Sequence, residues 1–180
     1  MKHPLNLSEV RKKFDFTINK NISFEPIEIM YGEDLVSMDF DVFLPTIGMN
    51  LQRPLCWSLH QKQQLILSIL KGNTIPKLSI ISVKNHNGGF ASYQVIDGKQ
   101  RLNAYMSFVK GEFALPTGHY YNDLARSCRN EIWNFIFVCD TAYTYVDKPI
   151  SDANKIAWFT QINFTGTPQD EAHLINLLNK

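Results

Sequence analysis

Between Tyr93 and Phe108 the hydrophobic period changes within a few residues. Tyr93 to Ile96 reads as an apolar strand, while Leu102, Tyr105, Met106 and Val109 fall at i, i+3, i+4 and i+7, one face of a helix. Asp97, Gly98, Lys99, Gln100 and Arg101 stand between them. That spacing leaves no loop: the chain must turn directly from sheet into helix, and the turn carries an acid, two cations and an amide. The start of such a helix leaves several backbone N–H groups unpaired, and these, with the helix dipole, favour an anion. Gly98 lets backbone approach a ligand closely. Arg101 presents a planar fork suited to phosphate oxygens, and Lys99 adds a second positive charge. Asp97 would repel a bare phosphate, so it must serve otherwise, on a divalent metal, on a ribose hydroxyl, or in a pairing with Arg101. An Asp-Gly turn with a surface arginine is also common in proteins with no ligand at that place.

The remaining elements can be placed around this corner. Phe24 to Ile29 and Asp39 to Leu44 alternate as strands, and Pro45 ends the second. Ser58 to Lys71 reads as a helix with a Ser58/Gln61 capping box, an inward stripe of Leu59, Leu65, Ile66, Ile69 and Leu70, and Gly72 at its end. Leu78 to Val83 is a strand that pairs with Tyr93 to Ile96 as a hairpin across an Asn85–Gly89 turn. Lys110 and Gly111 close the helix that follows the corner. Tyr121 to Trp133 is expected as a helix and Phe135 to Cys139 as a short strand. Ala153 to Ile162 is a helix capped by Ser151 or Asp152, and Thr167-Pro168-Gln169-Asp170 starts another, with Leu174, Leu177 and Leu178 as its stripe. Strands come early and helices dominate the end, so the class is α+β. We expect one domain over 1–180: an N-terminal arm or short helix in 1–22, a core over 39–145, and C-terminal helices over 150–180.

Composition narrows the function classes. Hydrophobic residues make up 44% and charged residues 19% of 180, which is a folded chain rather than a disordered one. The net charge of +1 indicates no general basic surface for nucleic acid, although a local patch is compatible with it. Cys56, Cys128 and Cys139 are scattered and odd in number, against a disulfide framework or a structural zinc site. With no signal-like or membrane-spanning run, the expected location is cytoplasmic, away from the membrane. His173 and Glu171 sit two apart and do not share a helix face, so they make no metal pair. Trp133, Phe135, Phe137, Tyr143 and Tyr145 read as packing aromatics before a base-stacking platform. Ser58 and Ser151 lack the company of a nucleophile, and Arg11-Lys12-Lys13 reads as a solvated helix face.

Three ordered segments carry a resemblance. Val95-Ile96-Asp97-Gly98-Lys99-Gln100-Arg101-Leu102 resembles the DGQQR motif of the GmrSD-type domain family, of ParB/sulfiredoxin-like fold. Gly98, Arg101 and Ala104 also fit the looser GxxRxxA pattern of ParB proteins. Gln52-Arg53-Pro54-Leu55-Cys56-Trp57 resembles the family's QRPYxW segment, followed by Ser68 to Pro76 as its "SILxGxxIP" phrase. Phe159 to Pro168 resembles its "F..IN..GTPL" segment. Together they span about Leu44 to Leu178.

The resemblance implies a small mixed sheet with packed helices, and a nucleoside triphosphate (ATP, GTP or CTP) bound with Mg²⁺ and possible hydrolysis. Carried over by position, Asp97, Gln100 and Arg101 become catalytic, with Asp97 on the metal. Arg53, Gly98, Lys99, Arg101 and Asn163 become nucleotide contacts. The implied setting is phage–host conflict or DNA-modification-dependent restriction, with DNA or a separate nuclease subunit as partner. Lys99 departs from the motif's first glutamine: it strengthens phosphate binding or removes a group that orients water. It cannot do the cysteine chemistry of sulfiredoxins. No paired His, Asn and acid motif of an HNH nuclease is present, so nuclease activity is not expected within these 180 residues. The competing expectation is a non-catalytic DNA- or protein-binding module that keeps the fold as scaffold.

Overall fold

A computed structural model describes residues 14–32 and 36–164. Its centre is a mixed sheet of five strands, β1 (Ile18–Phe24), β2 (Ser37–Asp39), β5 (Leu78–Lys84), β6 (Phe90–Asp97) and β7 (Phe137–Tyr145). Across the sheet they lie in the order β1-β7-β5-β6-β2. β5 and β6 form the expected antiparallel hairpin. β7 returns parallel to β5, from Leu78↔Cys139 to Lys84↔Tyr145. β1 and β2 are the edges, antiparallel to β7 and parallel to β6 respectively. A separate pair, β3 (Phe43–Leu44) and β4 (Met49–Asn50), forms a small hairpin. The class is therefore α+β.

Helices cover both faces of the sheet. α2 (Leu59–Leu70) and α3 (Lys99–Val109) bring Leu65, Ile66, Ile69, Leu102, Tyr105 and Phe108 against Leu78, Ile80, Val95 and Phe137. On the other face α5 (Asp152–Phe164) brings Trp158 and Phe159 against Ile81, Ile96 and Ala142, together with Val42, Leu44 and Leu51. This explains why Leu78 to Ser82 is buried at every position: a strand covered on both sides reads as a run and does not alternate. Tyr105 is fully buried and donates its hydroxyl to the Ile132 carbonyl at 2.8 Å. Burial pushes its phenol well above the ordinary tyrosine range, with smaller upward contributions from Tyr121 and Tyr31.

Several boundaries differ from the sequence expectation. Phe24 to Ile29 is no strand: β1 ends at Phe24 and α1 (Pro26–Tyr31) begins at once. Pro26 lies in its first turn, where the missing N–H costs nothing and the fixed φ suits a helix. Asp39 to Leu44 is broken in two. The Asp39 carboxylate accepts the N–H groups of Asp41 (3.1 Å) and Val42 (2.8 Å), closing a turn that ends β2 and leaves Val42 at φ 51°. Tyr121 to Trp133 splits into a 3₁₀ turn (Tyr121–Asp123) and α4 (Arg126–Trp133). Asp123 turns back to accept the Tyr120 N–H at 2.9 Å, and Leu124 then runs extended.

The strand expected over Phe135 to Cys139 begins two residues later and runs on to Tyr145. Leu59 leaves the inward stripe and is exposed, because the first helical position projects beyond the packed face. Ser58 and Gln61 do form the capping box. Ser151 takes the cap of α5 by accepting the Asn154 N–H at 3.4 Å. Asp152 instead reaches back to the Thr46 N–H (3.0 Å) and hydroxyl (2.8 Å). Residues 18–22 of the expected arm lie in β1. The helix expected after Thr167, and His173 with Glu171, lie outside the described residues.

Candidate functional site

The corner forms where β6 meets α3. Gly98 holds φ at 108°, a region closed to most side chains. A Cβ there would come within 2.3 Å of Leu78 Cδ2. Glycine is thus demanded by packing against the neighbouring strand as well as by the turn. No side chain caps α3.

Asp97 and Arg101 take the pairing option. An Arg101 Nη donates to Asp97 Oδ2 at 2.7 Å and to the Lys77 carbonyl at 2.9 Å, and both ionic side chains are largely buried. The Arg101 Nε is buried without a hydrogen-bond partner among the described residues. Lys99 is buried and ion-paired with the exposed Asp41, which enters from the β2–β3 turn.

Gln100 is fully engaged by the preceding loop. Its Oε1 accepts the N–H groups of Cys56 (3.1 Å) and Trp57 (3.2 Å), and its Nε2 donates to the Pro54 carbonyl at 3.0 Å. Gln52 works from the other side, donating to the carbonyls of Val95 (3.2 Å) and Ile96. Two buried glutamines therefore hold the Gln52–Trp57 segment against the strand–helix corner. That segment carries Arg53 to the corner, where it lines a small space with Trp57, Asp97, Gly98, Lys99 and Arg101.

Six of the seven residues singled out in the sequence come together here: Arg53, Asp97, Gly98, Lys99, Gln100 and Arg101. Asn163 does not line this space. It lies buried on α5 and donates to the Phe159 carbonyl of its own helix at 2.8 Å. Asp41 and Gln52 are site residues that sequence reasoning missed. Asp41 lies far from Lys99 in the chain, with no local signal. Gln52 had one, since it begins the QRP segment beside Arg53.

The corner space is only about 20 Å³, room for one water. On the other side of Lys99 lies a cleft of about 630 Å³, lined by Phe40, Met49, Pro54, Leu55, Asp41 and Asn103 among others. Lys99 and Gln52 line both spaces. Among the aromatics of the chain's second half, Phe137 is buried in the core. Trp133 stacks on Tyr31 at 5.4 Å, and the Lys84 ammonium sits 4.7 Å over the Tyr143 ring. Among the described residues, no three His, Cys, Asp or Glu side chains gather to hold a metal ion, and no helix is long and apolar enough to cross a membrane.

The fold and site define a small α+β protein whose strand–turn–helix corner, Asp-Gly-Lys-Gln-Arg, is locked to a Gln-Arg-Pro loop. The family model of the GmrSD restriction endonuclease N-terminal domain matches residues 33–178, and the chain belongs to that family. The setting that follows is restriction-type phage defence. Neither a curated protein nor a solved structure matches the chain.

Proposed function

We propose that this chain binds a nucleoside triphosphate across the corner and its adjoining cleft, and acts within restriction-type defence through a DNA or nuclease partner. The observation that carries this reading is the position of Lys99. A buried ammonium stands at the uncapped start of α3 and faces both the one-water corner space and the large cleft. Anions are favoured at a helix start, and more so beside a cation taken out of water. The corner itself is too small for a phosphate group, so the phosphate chain would lie along Lys99 and draw it away from Asp41. Arg53 and Arg101 supply the positive charge behind it. A cleft of about 630 Å³ lies within the usual size of small-molecule sites.

The residues differ in how they suit the implied chemistry. Mg²⁺ would arrive with the phosphates, and Asp97, which holds Arg101 through Oδ2, would offer it the other carboxylate oxygen. Gln100 has its amide committed to three backbone groups, which supports a positioning role for it and binding more than turnover.

A second reading also has an observation behind it. Each motif side chain of the corner has an internal partner, as a fold keystone without a ligand would. In that case the chain is a DNA- or protein-binding module on the same scaffold. Calorimetric titration of ATP, GTP and CTP, each with Mg²⁺, into wild type and Arg101→Ala separates the two. Binding that is lost in a folded variant supports the nucleotide site. Absence of heat with every nucleotide in folded wild type rejects it and leaves the scaffold reading.

A further inference from the structure

Asn103 lies one helical turn beyond Lys99 on α3 and lines the larger cleft without touching the corner space. It is half-buried, and its amide is engaged by no other described residue. Gln52, which also lines the cleft, and Gln100 at the corner are committed to backbone partners, and the cleft's remaining amide, Asn50, is exposed on β4. Asn103 therefore presents a donor and an acceptor to the cleft. Around it stand Phe40, Met49, Pro54 and Leu55, which make the walls mainly apolar.

These walls and that amide suit one kind of ligand part. A nucleobase has apolar faces that rest on aromatic and aliphatic side chains, and a polar edge that needs a few placed donors and acceptors. The walls are continuous with the corner. The Asp41 carbonyl accepts the Gln52 N–H at 3.1 Å, so the turn carrying Lys99's partner and the loop carrying Arg53 are one piece. A ligand with phosphates along Lys99 would reach Asn103 with its base.

We propose that the larger cleft is the base pocket of the nucleotide site and that Asn103 reads the base edge. This rests on the nucleotide reading above. An amide carries both a donor and an acceptor, and it pairs with a base edge that offers the complement. A carboxylate at the same position only accepts. It would favour guanine, whose N1–H and N2–H are two adjacent donors, and would lose the acceptor edge of adenine.

The experiment uses the full chain with Mg²⁺ and titrates tripolyphosphate, ATP, GTP, CTP and UTP into wild type, Asn103→Leu and Asn103→Asp. At least one nucleotide should bind wild type ~10-fold tighter than tripolyphosphate. Asn103→Leu should flatten the differences among bases while keeping tripolyphosphate affinity. Asn103→Asp should raise the GTP-to-ATP affinity ratio by ~10-fold. If tripolyphosphate binds as tightly as every nucleotide, or if both variants leave the base ratios unchanged, the base pocket is rejected and the phosphate site stands. If neither tripolyphosphate nor any nucleotide binds folded wild type, the nucleotide reading fails and this inference falls with it.

Discussion

The corner and the cleft beside it share Lys99 and Gln52, yet they treat polar groups in opposite ways. At the corner, Asp97 and Arg101 pair with each other, Lys99 with Asp41, and Gln100 with three backbone groups. In the cleft, Asn103 presents an amide that no other described residue engages. A buried charge must be compensated locally, so the residues with the most conspicuous chemistry are also those most used by the fold. Polar groups that a ligand can engage without displacing an internal partner lie where they remain solvated. The contrast predicts large stability losses at the corner and small ones in the cleft.

The largest effect is expected from Gly98→Ala. A side chain at φ 108° that meets Leu78 at 2.3 Å combines backbone strain with overpacking of a closed core. Each of these costs ~1–3 kcal/mol, so urea unfolding should show a loss of several kcal/mol. A loss below ~1 kcal/mol would mean that the turn relaxes easily and that the corner is not rigid. Asp97→Asn comes next. It leaves the Arg101 guanidinium largely buried without its counter-charge, and the loss should be ~2–3 kcal/mol. The double variant Asp97→Asn/Arg101→Met should recover part of that loss; strict additivity would show that the pair does not act as a unit.

The fold was legible in the sequence wherever one local signal decided the outcome. The capping box of α2, the hairpin of β5 and β6, and the helix after Gly98 each rest on neighbours within a few residues. Six of seven proposed site residues converge for the same reason: five are contiguous, and the sixth lies in a loop that Gln100 holds in place. Where a polar side chain bonds the backbone of its own neighbours, the pattern misled. Asp39 to Leu44 alternates as a strand, but the Asp39 side chain captures two backbone N–H groups and turns the chain. Asn163 is polar and lies in a matching segment, but its amide bonds back to its own helix.

The clamp on the loop is weaker than the ion pair. Gln100→Leu removes one donor and one acceptor from three backbone groups and should cost ~1–2 kcal/mol. Under the nucleotide reading it should also weaken affinity, because Arg53 loses its anchored loop. If only turnover changes while affinity and stability stay constant, Gln100 acts on water and does not position the loop.

The pH dependence probes the core behind the corner. Burial raises the Tyr105 phenol above its ordinary value and also raises Tyr93, Tyr121 and the Cys139 thiol. A raised folded-state value means that the unfolded chain releases its proton first as pH rises. Tyrosine stabilisation is therefore complete below an ordinary tyrosine value of about 10 and falls above it. Urea midpoints should decline through that alkaline window, and Tyr105→Phe should make the decline shallower. The smallest effect closes the series: Asn103→Leu should leave stability within ~0.5 kcal/mol of wild type, measured by the same unfolding. A large loss there would mean that the amide is already used by the fold.

The sequence by itself determined the α+β class and the place where sheet turns into helix, because these follow from hydrophobic period over short spans; that Gly98 must be glycine emerged only from its φ of 108° and its approach to Leu78. The sequence also carried the family, in three segments whose order survives any uncertainty about their contacts. Only the tertiary structure decided that Asp97 faces Arg101, that Asp41 crosses 58 positions to meet Lys99, and that Gln100 holds a loop. Partner choice among buried polar groups depends on which groups the fold brings within hydrogen-bonding distance after water has left, and no run of neighbouring residues contains that information.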